Sequence, residues 1–314
     1  MRGTIVLFTC LAALVAGAQE TVPIQLQVKA GDVLPLRVVT NQEISQTVLG
    51  QQRRIKQEVE YRYAIAVDSI DADGAINATV TWEEAAIHRD MKGEVVGDEP
   101  MTPAVNADAA ARARLLEALK GQRFRLRTTS AGEVLEVSGT GDAVAQLTKV
   151  LEPSSEEERA LTEQSVREQY GDQAMREIMQ RVLAVYPPKP VAVGESWVRT
   201  LTATKGFPFV IKSTYTLKEA APDRVAIEEK AEVTTDTKPI ANPPGTGTTS
   251  YSLTGGQAGT ITLWRDTGWY AEATLNQQAY GHVAYDAGGS DKKKTAVPLS
   301  VKTEVRIAGR EETQ

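Results

Sequence analysis

Cysteine is almost absent from this sequence, since Cys10 is the only one in 314 residues. A chain with one thiol forms no internal disulfide and offers no cysteine cluster for a metal. Cys10 also lies in a segment that we predict is removed, so the mature chain has no thiol at all. The fold must therefore depend on its core alone.

Histidine is equally scarce, with only His88 and His282. A nucleophile–base pair or a histidine metal site would recruit one of them, and neither HxH nor HExxH spacing occurs. GxSxG motifs and glycine-rich phosphate loops are missing too. Ser290-Asp291-Lys292-Lys293 matches SxxK, but it follows Gly288-Gly289 in a predicted loop, whereas that chemistry needs a rigid helix. We therefore predict no catalytic, metal-binding or cofactor-binding residue, no cofactor, and a protein that is not an enzyme.

Positive charge and long apolar runs are also in short supply. The chain has 35 Lys and Arg against 41 Asp and Glu, a net charge of −6, which disfavours nucleic acid as a partner. A helix that crosses a bilayer needs about 20 apolar residues, and no segment after the N-terminus is that long. We predict a mature chain without nucleic-acid partner or transmembrane span.

The N-terminus has the three parts of a secretory signal. Arg2 precedes the apolar run Ile5–Val15, and Ala16-Gly17-Ala18 follows as a small-residue cleavage site. We predict a signal peptide over residues 1–18, cut near Ala18, and an exported protein that is periplasmic or secreted. A lipoprotein signal ending at Cys10 is the alternative, although the apolar run continues past that cysteine.

Period-two alternation dominates what is present. It is cleanest near the end, where apolar and polar residues alternate over 297–307, and it recurs in segments that include "EVEYRYAIAV" and "INATVTW". Such half-solvated strands are typical of antiparallel sheets. We predict a mainly β (α+β) fold. The segment Pro239–Gly259 is rich in Gly, Pro and Thr, and we expect it to be an irregular loop.

Helical patterns are confined to the middle of the chain. We predict helices over 107–120, over 142–151 and from Ser155 to about Val185, the last with an N-cap signal and a break at Tyr170-Gly171-Asp172. The two flanking segments have similar strand layouts. We therefore predict a first β-rich half (19–152), a helical connector (153–190) and a second β-rich half (191–314), with curved sheets and an internal duplication.

Two further features bear on function. Asp71-Ala72-Asp73-Gly74 resembles the start of a calcium loop, but the ligand pattern then stops, so we interpret it as a hairpin turn. Aromatic residues cluster in the second half and could line a ligand groove; the alternative is that they form its core. The candidates are Trp197, Trp264, Trp269, Tyr270 and Tyr280.

Four segments, "VKAGDVLPLRV", "YRYAIAVDSIDADGAINATVTW", "LKGQRFRLRTTSAGEVLEVSG" and "YPPKPVAVGESW", carry a family resemblance. Their order resembles exported bacterial proteins grouped as domain of unknown function 6263. The resemblance implies a β-rich fold and a bacterial envelope or secreted location, and it supplies no functional residues.

Three hypotheses of function follow. The first is a non-enzymatic exported protein that binds a lipid or another hydrophobic ligand between curved sheets, by analogy with periplasmic lipoprotein carriers. The second is a structural or protein-interaction module of the envelope. The third is a hydrolase that uses carboxylates brought together by the fold.

Overall fold

The computed structural model describes residues 20–48, 51–92, 109–204, 207–236, 238–241, 247–286 and 294–309. The predicted signal peptide lies outside these residues. The strands are β1 (Thr21–Val22), β2 (Val33–Val48), β3 (Gln51–Ile70), β4 (Ile76–Lys92), β5 (Arg123–Thr128), β6 (Val134–Ser138), β7 (Val191–Ala192), β8 (Ser196–Thr202), β9 (Phe209–Ala220), β10 (Arg224–Thr235), β11 (Ile240–Ala241), β12 (Thr248–Trp264), β13 (Tyr270–Asp286) and β14 (Lys294–Ala308).

Most of these strands form a single antiparallel sheet. Its order is β6-β5-β4-β3-β2-β14-β13-β12-β10-β9-β8, with β11 added beside β12, while β1 and β7 form a separate pair. Among the described strands, β6 and β8 are the two edges. The mainly β prediction is confirmed, and the strands of the two segments join where β2 pairs with β14.

The helices are α1 (Ala109–Leu119), α2 (Gly141–Val150), α3 (Glu156–Tyr170) and α4 (Asp172–Leu183). The predicted capping signal is confirmed, because the Ser155 hydroxyl accepts a hydrogen bond from the Glu158 amide at 3.1 Å. The predicted break is confirmed as well, since Gly171 lies in extended conformation between α3 and α4.

The prediction of an irregular loop over Pro239–Gly259 is wrong for its second part. Thr248–Gly259 belongs to β12, which pairs with β10 on one side and with β13 on the other. The glycines serve a bend in the sheet. A Cβ at Gly255 would lie 1.8 Å from the carbonyl oxygen of Gln278, and one at Gly259 would lie 2.0 Å from that of Thr274. Residues 242–246 lie outside the described residues.

The bend at β12 is sharp. Some Cα atoms of β10 lie within 8 Å of Cα atoms of β13, although β12 runs between them. In a flat sheet such second neighbours are about 9.5 Å apart. The close approach therefore requires backbone without side chains, which explains the glycines of β12.

Inward-facing side chains form two separate apolar clusters. The helix-side cluster contains α1–α4 and the strand ends that they cover, with Trp82, Phe124, Leu147 and Met179 almost fully buried. The distal cluster lies at the other end of the strands and consists of Ala203, Phe209, Ile211, Val233, Leu253, Ala279, Val283, Val297, Leu299 and Val301. The candidate binding cleft lies between the two clusters.

Candidate functional site

A row of polar side chains crosses the sheet between the two apolar clusters. Its members occupy directly opposed positions on neighbouring strands, so they share one face of the sheet. They are Gln257 on β12, Gln277 on β13, Thr303 on β14, Gln42 on β2 and Gln57 on β3. We call this set the amide row. On β14 the alternation places Thr303 on the same inward face as Val301 and Val305.

A cleft of about 940 Å³ lies over the amide row. Each row residue lines it together with its two neighbours in the chain, as expected for a cleft centred on the row. Its volume is within the range of small-molecule sites in proteins. The cleft therefore is the candidate binding site of this molecule.

Half-buried apolar residues flank the amide row on both sides. Val59, Val305 and Leu275 lie between the row and the helix-side cluster, against which Val305 and Leu275 pack. Thr40 on β2 is the polar residue of this margin, between Val59 and Val305 in the register. Ile44 lies on the other side of the row, against the distal cluster. The surface of the sheet under the cleft is thus polar along its middle and apolar along its margins.

Hydrogen bonds connect one end of the amide row. The Gln57 amide nitrogen donates to the Gln42 side-chain carbonyl at 2.8 Å. The Gln42 amide nitrogen in turn donates to the Thr303 hydroxyl oxygen at 3.4 Å. The donors in this part of the row point from β3 towards β14.

The other end of the row is a buried carboxyl group. Glu229 on β10 is 1% exposed, and its Oε1 accepts hydrogen bonds from Gln257 Nε2 at 2.8 Å and from Ser213 Oγ at 2.6 Å. Its Oε2 has no hydrogen-bond partner among the described residues. Burial raises the pKa of Glu229 above its usual value, because an ionised carboxylate is costly without solvent.

The five aromatic residues predicted as groove candidates lie elsewhere, and none is among the described residues that line the cleft. Three are buried in the helix-side cluster and donate to backbone carbonyls: Trp197 to Val185 at 3.0 Å, Trp269 to Pro35 at 2.7 Å and Tyr270 to Val182 at 2.6 Å. Their hydrogen bonds fix the segment after α4 and the start of β2 against the sheet.

The remaining two aromatic candidates belong to the opposite face of the sheet. The Trp264 ring lies 4.9 Å from the Arg224 guanidinium carbon, and Tyr280 is 59% exposed. A ligand-binding role for the five aromatic residues stays a prediction.

The Asp71–Gly74 segment is a hairpin tip, as predicted. Gly74 has a φ of +82° and its amide donates to the Asp71 carbonyl at 2.9 Å. The carboxylates of Asp71 and Asp73 lie 3.2 and 3.1 Å from the Arg127 guanidinium. The two carboxylates thus share one cation of β5.

Of the two histidines, His88 lines the cleft, together with Glu43, Glu58 and Glu304, whereas His282 is not among the described residues that line it. His88 on β4 is exposed beside Glu58 of β3, and His282 is exposed on β13 opposite Ser252. Within the described residues, no group of three or more His, Cys, Asp or Glu is placed to bind a metal ion. Nor is any helix of that part of the chain long and apolar enough to cross a membrane.

Sequence reasoning missed the amide row, although strands such as β14 carry a signal for it. The apolar alternation Val297, Leu299, Val301, Val305, Ile307 omits one inward position, and the residue there is Thr303. A polar residue in an apolar register of a strand indicates an inward surface that is not packed.

Comparison with solved structures yields low similarity. One match is lipovitellin, from a structure titled for its lipid–protein interactions, with 10% sequence identity and a TM-score of 0.49. The aligned region covers 91% of this chain and 26% of the lipovitellin chain. An outer membrane channel from Pseudomonas putida F1 gives 9% identity and a TM-score of 0.19 over 90% of this chain and 97% of that one. At these scores, neither supports a functional conclusion.

No curated protein matches the chain. A family model does match, over residues 73–270, and its description is a family of unknown function, DUF6263. The match covers more than half of the sequence and agrees with the resemblance noted in the strand and turn segments. The protein belongs to the DUF6263 family.

Proposed function

We propose that this protein is an exported, non-enzymatic binding protein, and that its cleft holds an amphipathic ligand such as a lipid. The observation that carries the proposal is the amide row, which lies on the inward face between two margins of half-buried apolar residues. A polar stripe with apolar margins matches a molecule that has a polar head and an apolar body.

The helix-side cluster leaves no room for such a ligand. The cavity that remains there measures about 20 Å³ and is lined by apolar residues that include Leu34, Ile65 and Met179. That volume is about the size of one water molecule. The ligand therefore belongs in the cleft, where the inward side chains are only half covered.

Native mass spectrometry tests the binding. Delipidated protein mixed with total bacterial envelope lipid should retain one lipid per chain. Thr303→Trp places a large side chain in the cleft and should abolish this adduct. Ser300→Trp is the matched control, because Ser300 lies on the opposite face of β14 and is not among the described residues that line the cleft. Adduct-free wild-type protein, or equal loss in the two variants, would contradict the proposal.

The export component rests on the signal pattern of the first 18 residues. Mass spectrometry of the protein recovered from the envelope fraction should give a mature chain that begins at Gln19. A chain that begins at Met1 in that fraction would show that the segment is not a cleaved signal.

The edge strand β8 favours a second candidate, a protein-interaction module. Among the described strands, Ser196–Thr202 pairs only with β9, and its free edge could accept a strand from another protein. A cross-linker placed at Thr200, which is exposed, should then capture one protein repeatedly in cells. Capture of many unrelated proteins, or of none, would weigh against this candidate.

A further inference from the structure

The centre of the amide row contains a side chain without a partner. Gln277 lies between Gln257 and Thr303 in the register of the sheet. Its neighbours in the row take part in hydrogen bonds, whereas the Gln277 amide makes none with any other described residue. Half-buried amides normally bond to protein or to bound molecules, so this group is available to a ligand.

The groups on either side of Gln277 have complementary capacity left. The Thr303 oxygen accepts from Gln42, so its own hydroxyl proton remains available as a donor. On the other side, Gln257 uses its nitrogen to donate to Glu229, so its side-chain carbonyl oxygen remains available as an acceptor. The centre of the row therefore offers a donor, an amide and an acceptor in sequence across three strands.

We infer that the centre of the amide row binds an uncharged head group that both donates and accepts hydrogen bonds, namely a hydroxyl or an amide. The inference rests on the proposed function and specifies the ligand class of the same cleft. A hydroxyl-bearing head and an amide-bearing head share this chemistry, and the experiment below separates them.

The charge of the row supports an uncharged head group. None of the five described side chains of the amide row is charged, and the adjacent Glu229 carboxyl is buried against Ser213 and Gln257. The charged residues that line the cleft occupy the alternate positions of their strands, so their side chains point to the opposite face of the sheet; they are Glu43, Lys56, Glu58, Lys302 and Glu304. An anionic or cationic head placed over the row would therefore lose water without gaining a counter-ion from the row itself, which is costly. A neutral head that replaces its water hydrogen bonds one for one does not incur that cost.

Calorimetric titration with four amphiphiles that share the same eight-carbon chain tests the inference. The probes are octyl glucoside, nonanoyl-N-methylglucamide, whose alkyl chain beyond the carbonyl has eight carbons, octylphosphocholine and octyl sulfate, each below its critical micelle concentration. We expect the two neutral heads to bind about tenfold more tightly than the two ionic ones, as two or three hydrogen bonds would give. Equal affinity for glucoside and glucamide indicates hydroxyl recognition; a preference for glucamide indicates the amide.

Two variants test whether Gln277 itself is responsible for the preference for neutral head groups. Gln277→Leu should remove most of the preference for neutral heads and leave binding of the alkyl chain in place. Thr274→Leu is the matched control, because Thr274 is a polar residue of β13 that is exposed on the opposite face and is not among the described residues that line the cleft. It should keep the full preference.

The outcomes separate the inference from the proposed function. Binding of all four amphiphiles with equal affinity would overturn the inference and leave the proposed function standing. Tighter binding of the ionic heads, or an unchanged preference in Gln277→Leu, would overturn the inference as well. If none of the four amphiphiles binds, the proposed function itself fails.

Discussion

The helix-side cluster and the cleft are built on the same strands and the same face of one sheet, yet only the former is filled. Under the helices, aromatic rings pack together, with the ring centroids of Tyr61 and Tyr63 on β3 6.0 Å apart. A few residues further along the same strands, glutamine and threonine replace them and a cleft of about 940 Å³ remains. The difference teaches that the inward face is packed for stability at one end and left open in its middle, where we propose that a ligand binds.

The most direct test of this difference is to truncate one side chain in each region to alanine and compare the losses in stability. Trp82 is 1% exposed and packs between Tyr63 and Phe124. Trp82→Ala should lower the free energy of unfolding by about 3–5 kcal/mol. Gln42→Ala, in the amide row, should cost less than about 1 kcal/mol. Equilibrium urea denaturation followed by circular dichroism measures the two values. A comparable loss at the two positions would show that the cleft region is packed for stability as well.

The bend at β12 separates glycines that need to be glycine from one that does not. A Cβ at Gly255 would collide with the Gln278 carbonyl oxygen, whereas one at Gly256 would meet its nearest atom, the Ala231 carbonyl oxygen, at 3.4 Å. Gly255→Ala should therefore destabilise the fold by about 1–3 kcal/mol. Gly256→Ala should be neutral or slightly stabilising. Differential scanning calorimetry distinguishes them, and equal melting temperatures would contradict the role of Gly255 in the bend.

The smallest effect concerns two carboxyl groups on opposite faces of the sheet. Burial raises the folded-state pKa of Glu229 above 4.5; the folded state then binds the proton more tightly, and stability falls as pH rises from about 4.5. The Arg37 and Arg62 guanidinium groups lower the pKa of Glu60 to about 2, so its stabilisation is present above pH 4.5 and lost between 4.5 and 2.

Substitution of each carboxyl group should reduce the pH dependence of the free energy of unfolding on one side of pH 4.5. Glu229→Gln should reduce the decline above pH 4.5, and Glu60→Gln the decline below it. The ion pairs of Glu60 are partly exposed, so we expect about 0.5–1 kcal/mol there. Urea denaturation at intervals from pH 2 to pH 8 tests this, and an unchanged slope on the assigned side would contradict the assignment.

Local signals made the elements predictable. The strand at 297–307 and the helix break at Gly171 each follow from residues adjacent in sequence, so period and capping were enough to identify them. The glycines of β12 misled the prediction, because glycine is typical of loops, and its use here depends on β13, a strand whose approach no local pattern reveals.

The amide row could not be predicted as a site, because it is assembled from five strands. Gln42 and Thr303 are 261 residues apart in the chain, and each by itself is an ordinary polar residue. The aromatic residues attracted attention because of their size, but Trp269 and Tyr270 are positioned by helix α4 and β2, which apolar alternation does not specify. What sequence could have offered is the interruption of the inward apolar series on β3, β13 and β14, at Gln57, Gln277 and Thr303.

Because the first long strand, β2, is hydrogen-bonded to β14, this chain cannot complete its sheet until β14 has been synthesised. The N-terminal strands emerge first and then wait for β14, with the edge of β2 uncovered meanwhile. Pairings of such long sequence separation form slowly, and unprotected edges invite aggregation. We expect the newly made protein to depend on a chaperone, and its period of greatest vulnerability to end when β14 arrives.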